Sequence, residues 1–443
     1  MMTREDFRRV VLGIFEKRED LCRAYTQPNI EKFRKGNLTL RLTDKTGAPI
    51  ARKRVHITQK THDFKYGANI FLLDEFPDNE RNARYRETFS QYFNLATVPF
   101  YWADLEPAEG NLRFAADSPK IYRRPAPDLC LDYCRKAGIC AKLHCLFYDA
   151  YIPEWLPRQN EAEMLRLYEK RFREISEHYA GGSFYEIEVS NEVLQIPGWT
   201  TNSILCERRD TPLWAWKMAE KYFPRDTLVI NETNKLVNVA KHTYRSPYFL
   251  MLENLLKDGA GIDKIGVQHH MFVGVRHSQE EDLAQYLDMM DPQNIIKGLQ
   301  ILSAFGKPLE ITEVTIPTLA GDEDLQAEML RRLYEIWFAT PLMETVVYWN
   351  TAENTAYVDP DKEWNENAVY GGLFHNDLSP KPAATMLRHL FEHVWHTELD
   401  PETDENGYVT FRGFYGDYEA RVGEANFSFG LHKGNSEVVS AQI

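Results

Sequence analysis

Two glutamates that close apolar runs, Glu192 in YEIEVSNE and Glu313 in PLEITEV, are the residues whose types and positions most directly suggest chemistry. Two carboxyls facing each other across a cleft can cleave an acetal. Hydrolysis at a sugar carbon with retention needs them about 5–5.5 Å apart, one as nucleophile and one as acid/base. The acid must hold its proton near neutral pH, and a nearby ionised carboxylate helps it do so. Further polar groups end other apolar runs: His144, Ser190-Asn191, Asn231-Glu232-Thr233-Asn234, Gln268-His269-His270, Thr312 and Tyr348-Trp349-Asn350. Buried polar groups cost free energy unless paired, so this concentration points to a site. His269 alternates to the face opposite His270 and is expected to pack away from it.

The elements that must position these residues read as eight strands: 64–71, 93–98, 141–147, 185–191, 227–232, 264–270, 308–314 and 345–350. Helical patterns such as EMLRLYEKRFREISEHY and LQAEMLRRLYEIWFAT lie between them. Eight strand–helix repeats predict an α/β fold of the (β/α)8 TIM-barrel type, with the active site at the C-terminal ends of the strands. Residues 3–18 read as an amphipathic helix with Phe7, Val10, Val11, Ile14 and Phe15 on one face and Thr3 and Asp6 as its N-terminal signal. The segment 37–60 and the C-terminal tail alternate like strands, yet neither is large enough to bury a core alone. They are expected to form one small β-sandwich. The expected division is a helical segment 1–36, a β-sandwich of 37–62 with 400–443, and a catalytic barrel 63–399.

Composition narrows the partner. Lys plus Arg number 52 against 66 Asp plus Glu, a net charge of −14, which disfavours nucleic acid. No run reaches the roughly 18 apolar residues of a membrane span. VVLGIF near the N-terminus is too short for a secretory core, so the expectation is a cytoplasmic protein, or a secreted one whose leader has been removed. Glycine-rich nucleotide signatures are lacking, and no cofactor is expected. Cys130, Cys134, Cys140 and Cys145 cluster around His144, but their spacing fits buried thiols better than a metal site.

The strand-4 Asn191-Glu192, the strand-6 Gly266-x-Gln268-x-His270 and the strand-7 Ile311-Thr312-Glu313 together resemble glycoside hydrolase family 10, the endo-β-1,4-xylanase family. FKYGANIF, WADLEPAEGNLRFAADS (102–118) and LFHNDLSPKPA (373–383) are similar to that family in order and spacing, so the resemblance covers roughly residues 64–397. It implies Glu192 as acid/base and Glu313 as nucleophile. It further implies Asn191 on the sugar 2-hydroxyl, Gln268 beside it, His270 orienting Glu313, His144 on the glycone sugar, and Trp349 as the apolar floor. Tyr357 stands where the family has a second Trp.

The chain also departs from the family. After strand 2 it has Val98-Pro99-Phe100-Tyr101-Trp102 in place of Asn-Glu-Met-Lys-Trp, and after the strand-3 histidine it has Tyr148-Asp149-Ala150-Tyr151 in place of Trp-His-x-Gln. Thr233 replaces an aromatic, and Thr315 replaces the carboxylate that normally pairs with the strand-6 histidine. The expected substrate is a β-1,4-xylosidic linkage in xylan or xylo-oligosaccharides, bound partly by Tyr101 and Tyr148. The alternatives are another β-linked or decorated glycan, a non-catalytic carbohydrate-binding barrel, or a metal-dependent hydrolase using His144 and His270. The long strand-8 loop, 353–371, is expected to block one end of the cleft and favour short oligosaccharides. Phe411, Phe414, Tyr415 and Tyr418 are candidates for an accessory glycan surface, with bracing of the barrel as the other reading. Oligomeric state stays open.

Overall fold

The computed structural model describes residues 2–195, 202–434 and 438–443. Strands β1 (Lys35–Thr43) and β2 (His56–Gln59) precede eight barrel strands. These are β3 (Lys65–Asn69), β4 (Leu95–Pro99), β5 (Cys140–His144), β6 (Glu186–Asn191), β7 (Leu228–Glu232), β8 (Lys264–His270), β9 (Leu309–Thr315) and β10 (Met343–Tyr348). A short ribbon, β11 (Val358–Asp359) with β12 (Trp364–Asn365), sits in the loop after β10. The tail supplies β13 (Glu398–Leu399), β14 (Tyr408–Phe414), β15 (Gly416–Val422), β16 (Ala425–Leu431) and β17 (Val438–Gln442).

The eight central strands form a closed barrel in sequence order, with β10 pairing in parallel with both β9 and β3. Each lies within or beside a run expected from the sequence, and helices cover the outside. The fold is therefore a (β/α)8 barrel. Side chains alternate between barrel interior and helix layer, which is why both residue types in these strands are buried. His269, for example, points outward and meets Trp337 edge-on at 5.2 Å.

The terminal strands make two small sheets, in the orders β14-β1-β17 and β13-β2-β15-β16. They share a core that includes Leu38, Leu40, Ile57, Val409, Phe411, Tyr418 and Leu431, so N- and C-terminal segments build one sandwich. Phe411 and Tyr418 are interior to it, and Phe414 is buried against the barrel's own core. These three aromatics serve packing, and Tyr415, the fourth candidate, is partly buried against the same sandwich core.

The expected N-terminal helix ends earlier than its pattern suggests. Helix α1 (Arg4–Glu16) is followed by a second helix, α2 (Glu19–Arg34). Thr3 and Asp6 form a reciprocal capping box at the start of α1, and Phe7, Val11 and Phe15 face the barrel. Arg4 and Arg8 both reach the buried Asp322, whose carboxyl they hold well below its ordinary range against the effect of burial. Asp322 in turn caps the helix Glu323–Ala339 by accepting from Leu325 N–H at 3.0 Å. Among the described residues, no helix is long and apolar enough to cross a membrane.

Candidate active site

The mouth of the barrel holds a cavity of about 650 Å³. Glu192, Glu313, Asn191, Gln268, His270, Trp349, Tyr101, Tyr148 and Tyr357 all line it. These residues come from loops or strand ends spread over the sequence, and barrel closure brings them together.

Gln268 Nε2 sets the central geometry. It donates to Glu192 Oε1 at 2.8 Å and to Glu313 Oε1 at 2.9 Å. The two carboxylate oxygens therefore lie less than about 6 Å apart, within reach of the retaining separation and short of the roughly 6.5–9.5 Å of an inverting pair. Glu192 follows β6 with φ at 55°, a left-handed conformation uncommon for a non-glycine residue. Its other oxygen accepts from Tyr148 Oη at 2.8 Å.

Glu313 accepts from Asn231 Nδ2 at 2.9 Å on one oxygen and meets His270 Nε2 at 3.1 Å on the other. Burial, with the nearby Glu188 and Glu192 carboxylates, holds its carboxyl well above the ordinary range, against His144 and the Asn231 amide, which favour the ionised form. His270 Nδ1 lies 2.8 Å from Thr315 Oγ1. With no carboxylate at position 315, burial lowers the imidazole to about 4. A hydroxyl can donate to Nδ1, which leaves Nε2–H free to donate to Glu313. Asn234 fixes the end of β8 by bonding both the N–H and the C=O of His270, each at 2.7 Å.

A close approach explains Gly266 in the strand-6 pattern. A Cβ there would come within 2.5 Å of Thr312 Cγ2 and 2.7 Å of the Ile230 carbonyl. Its absence lets β7, β8 and β9 draw together where Asn231, Gln268 and Glu313 must meet.

His144 lies beneath this layer and does not line the cavity. It is 1% exposed. Its Nδ1 bonds Glu188 Oε1 at 2.9 Å and its Nε2 meets Tyr101 Oη at 3.1 Å. The structure thus sets Tyr101 between His144 and the open space. Burial works against a charged imidazole, but Glu188 outweighs it and holds the group above its ordinary value.

Glu188, which the sequence reading passed over, also accepts from Asn231 Nδ2 at 3.2 Å and so links the two histidine-bearing sides of the site. Below it lies a buried ionic network. Lys142 Nζ meets Glu310 at 2.6 Å and Glu186 at 3.3 Å, and Lys264 Nζ meets Glu186 at 2.9 Å and Glu310 at 3.3 Å. The alternation of YEIEVSN hinted at it, because Glu186 and Glu188 are two residues apart on one face.

The side opposite β7 and β8 is aromatic. Tyr101 and Tyr148 lie 5.1 and 5.3 Å from Tyr151, and Tyr151 meets Tyr357 at 6.2 Å. The last contact joins the loop after β5 to the loop after β10 at one side of the cavity. Phe71, Arg123 and Arg124 also line this side, and none of them stood out in the sequence.

Two groups have metal-ligand spacing among the described residues: His144 with Cys145 and Glu188, and Glu323 with Glu353 and His375. Neither includes His270. In the first, both histidine nitrogens already have protein partners. All six cysteines are free thiols, with Cys130, Cys134 and Cys145 fully buried.

A (β/α)8 barrel with two carboxyls bridged across its mouth defines the class of glycosidase-like barrels. The model of glycosyl hydrolase family 10 matches residues 62–389, and the chain belongs to that family. Endo-1,4-beta-xylanase 2 of Arabidopsis thaliana is 24% identical over 94% of this chain and 35% of its own length. Anti-sigma-I factor RsgI6 of Acetivibrio thermocellus is 23% identical over 92% of this chain and 48% of its own. The chain thus spans less than half the length of these two relatives. The crystal structure of xylanase 10B from Thermotoga petrophila RKU-1 in complex with xylobiose shares the fold, with a TM-score of 0.58 at 18% identity over 74% of this chain and 94% of that one.

Proposed function

We propose that this chain is a retaining β-glycoside hydrolase that cleaves β-1,4-xylosidic linkages in xylan or xylo-oligosaccharides. The observation that carries the reading is the Gln268 amide bonded to both Glu192 and Glu313, which keeps their facing oxygens closer than an inverting pair requires.

In this mechanism the reacting sugar rests on Trp349. Glu313 attacks the anomeric carbon as Glu192 gives its proton to the departing oxygen, and a glycosyl ester forms on Glu313. Glu192, now a carboxylate, takes a proton from water, which attacks the same carbon and releases the sugar. Neutral His270, accepting from the Thr315 hydroxyl at Nδ1, keeps Nε2–H directed at the nucleophile. Asn191 supplies the 2-hydroxyl contact, which strengthens as charge develops on the ring. His144 acts through Tyr101, whose hydroxyl carries its influence to the glycone sugar.

The tyrosines in place of the family's polar sugar ligands favour a second reading within the same chemistry: a decorated or otherwise different β-linked glycan. A site stripped of particular hydrogen-bond donors no longer rewards the hydroxyls they read.

The test is aryl release from aryl β-xyloside, β-xylobioside and β-glucoside by wild type, Glu192→Gln and Glu313→Gln. Glu313→Gln should lose several orders of magnitude in rate. Glu192→Gln should still release a good leaving group in the first step but stall in turnover. Full activity in either variant refutes the assigned pair. Binding of β-glycans by wild type without any cleavage favours a carbohydrate-binding barrel instead.

A further inference from the structure

Arg123 is a buried charge that the reaction centre does not use. It lies in the loop after β4, is 7% exposed and lines the cavity. One guanidinium nitrogen donates to the Thr355 carbonyl, whereas Nε has no hydrogen-bond partner. Among the described residues no carboxylate pairs with it. Glu366, whose charge reaches it from farther away, is already held by Asn350 Nδ2 at 3.0 Å and Trp364 Nε1 at 3.3 Å. The adjacent Arg124 differs: it is tied to Asp104 at 2.7 Å and lies 4.3 Å over the Tyr101 ring.

A guanidinium buried without a direct carboxylate partner is costly, and an anionic ligand group would offset that cost. Arg123 lies 5.7 Å over Phe71, and Phe71 meets Trp349 edge-on at 5.3 Å. It is therefore one ring away from the residue proposed as the sugar floor, and its bond to the Thr355 carbonyl ties it to the loop that carries Tyr357. The planar fork of an arginine matches a carboxylate in two parallel bonds.

We propose that the part of the cavity beside Arg123 and Phe71 is a subsite for a sugar bearing a carboxylate, a hexuronic acid residue, with Arg123 as its counter-ion. The proposal rests on the glycosidase reading above for the direction of the chain in the cleft. It extends that reading from a neutral xylan backbone to an acidic oligosaccharide.

The test is calorimetric binding of three probes to the full chain carrying Glu192→Gln. The probes are xylotriose, xylotriose with a glucuronic acid on its non-reducing xylose, and the methyl ester of that acid. The acidic probe should bind at least about tenfold more tightly than xylotriose, as a charge-assisted pair requires. Esterification should remove that gain without any change to the protein. Arg123→Gln should abolish the ratio, and Arg123→Lys should keep part of it. Equal binding of acid and ester, weaker binding of the acid than of xylotriose, no binding of any probe, or a preference that survives Arg123→Gln would each overturn the subsite. If Arg123→Gln fails to fold, the acid–ester comparison alone decides. Failure of the glycosidase reading would show separately, as absent aryl release from the neutral aryl β-xylobioside by wild type.

Discussion

Replacing Thr315 with aspartate should turn His270 from a neutral imidazole into an imidazolium near neutral pH. In the present structure burial lowers His270 to about 4, and its Nδ1 faces a hydroxyl at 2.8 Å. A carboxylate at that position would be an acceptor only, so Nδ1 must then carry a proton while Nε2–H still serves Glu313. Unit charges 4 Å apart interact by about 4 kcal/mol at an effective dielectric of 20. At 1.36 kcal/mol per unit that is about 3 units of pKa, reduced by the cost of burying a second carboxylate. The imidazole should therefore titrate at about 6–7 in Thr315→Asp. The assay is nitrogen NMR of labelled histidine across pH 4–8, with kcat/KM profiles in parallel. Wild type should show no break from His270 between pH 5 and 8, and the variant should gain one. Thr315→Val, which adds no charge, should leave the titration near 4. A Thr315→Asp protein whose His270 is still neutral at pH 5 refutes the electrostatic account. The sign for stability follows from the same shift. His270 is held below its ordinary 6.5, so its contribution is complete above that pH and is lost as the pH falls through about 4.

Two other perturbations test different parts of the molecule. Lys142→Met should cost about 3–5 kcal/mol in denaturant unfolding, because it leaves Glu310 and Glu186 buried with only Lys264 between them. The lysines hold Glu310 well below its ordinary range despite burial, so its share of stability is complete above about 4.5 and is lost as the pH falls towards about 2. Glycoside cleavage should survive EDTA, since both nitrogens of His144 are committed to Glu188 and Tyr101. Loss on chelation and recovery with a divalent metal would refute the two-carboxylate reading.

Much of the frame is legible in the sequence. Runs such as KIGVQHH and PLEITEV are apolar where a parallel strand covered on both faces must be, and their spacing by helical patterns leaves a closed eight-stranded barrel as the natural solution. Strand ends are less well marked. The run FKYGANIF extends past β3, which stops at Asn69: Ile70 N–H still bonds the Thr97 carbonyl at 3.1 Å, and Phe71 is buried in the loop beyond. Glu192, Asn191, Gln268, His270 and Glu313 are readable because a polar residue closing an apolar strand has few structural reasons to be there.

The rest depends on contacts that no local pattern encodes. The family resemblance places His144 on the glycone sugar, yet the loop after β4 lays Tyr101 over it. Glu188 and the Lys142–Glu310–Lys264 network read as ordinary alternating residues, since their pairing partners lie on other strands, 44 positions away for His144 and Glu188, 46 for Lys264 and Glu310 and 168 for Lys142 and Glu310. Arg123 sits in a loop with no periodicity, and its burial comes from the loop after β10, which contributes Thr355.

By itself the sequence determined the kinds of elements, their order and the residues that end each strand. These follow from the two-residue and 3.6-residue periods of the backbone, which act over a few positions. Which carboxyls share an amide, which histidine faces a hydroxyl, and which arginine is buried without a carboxylate partner were settled by the tertiary structure. Those outcomes depend on distance and local dielectric, and both are set when the barrel closes and its loops fold over the mouth.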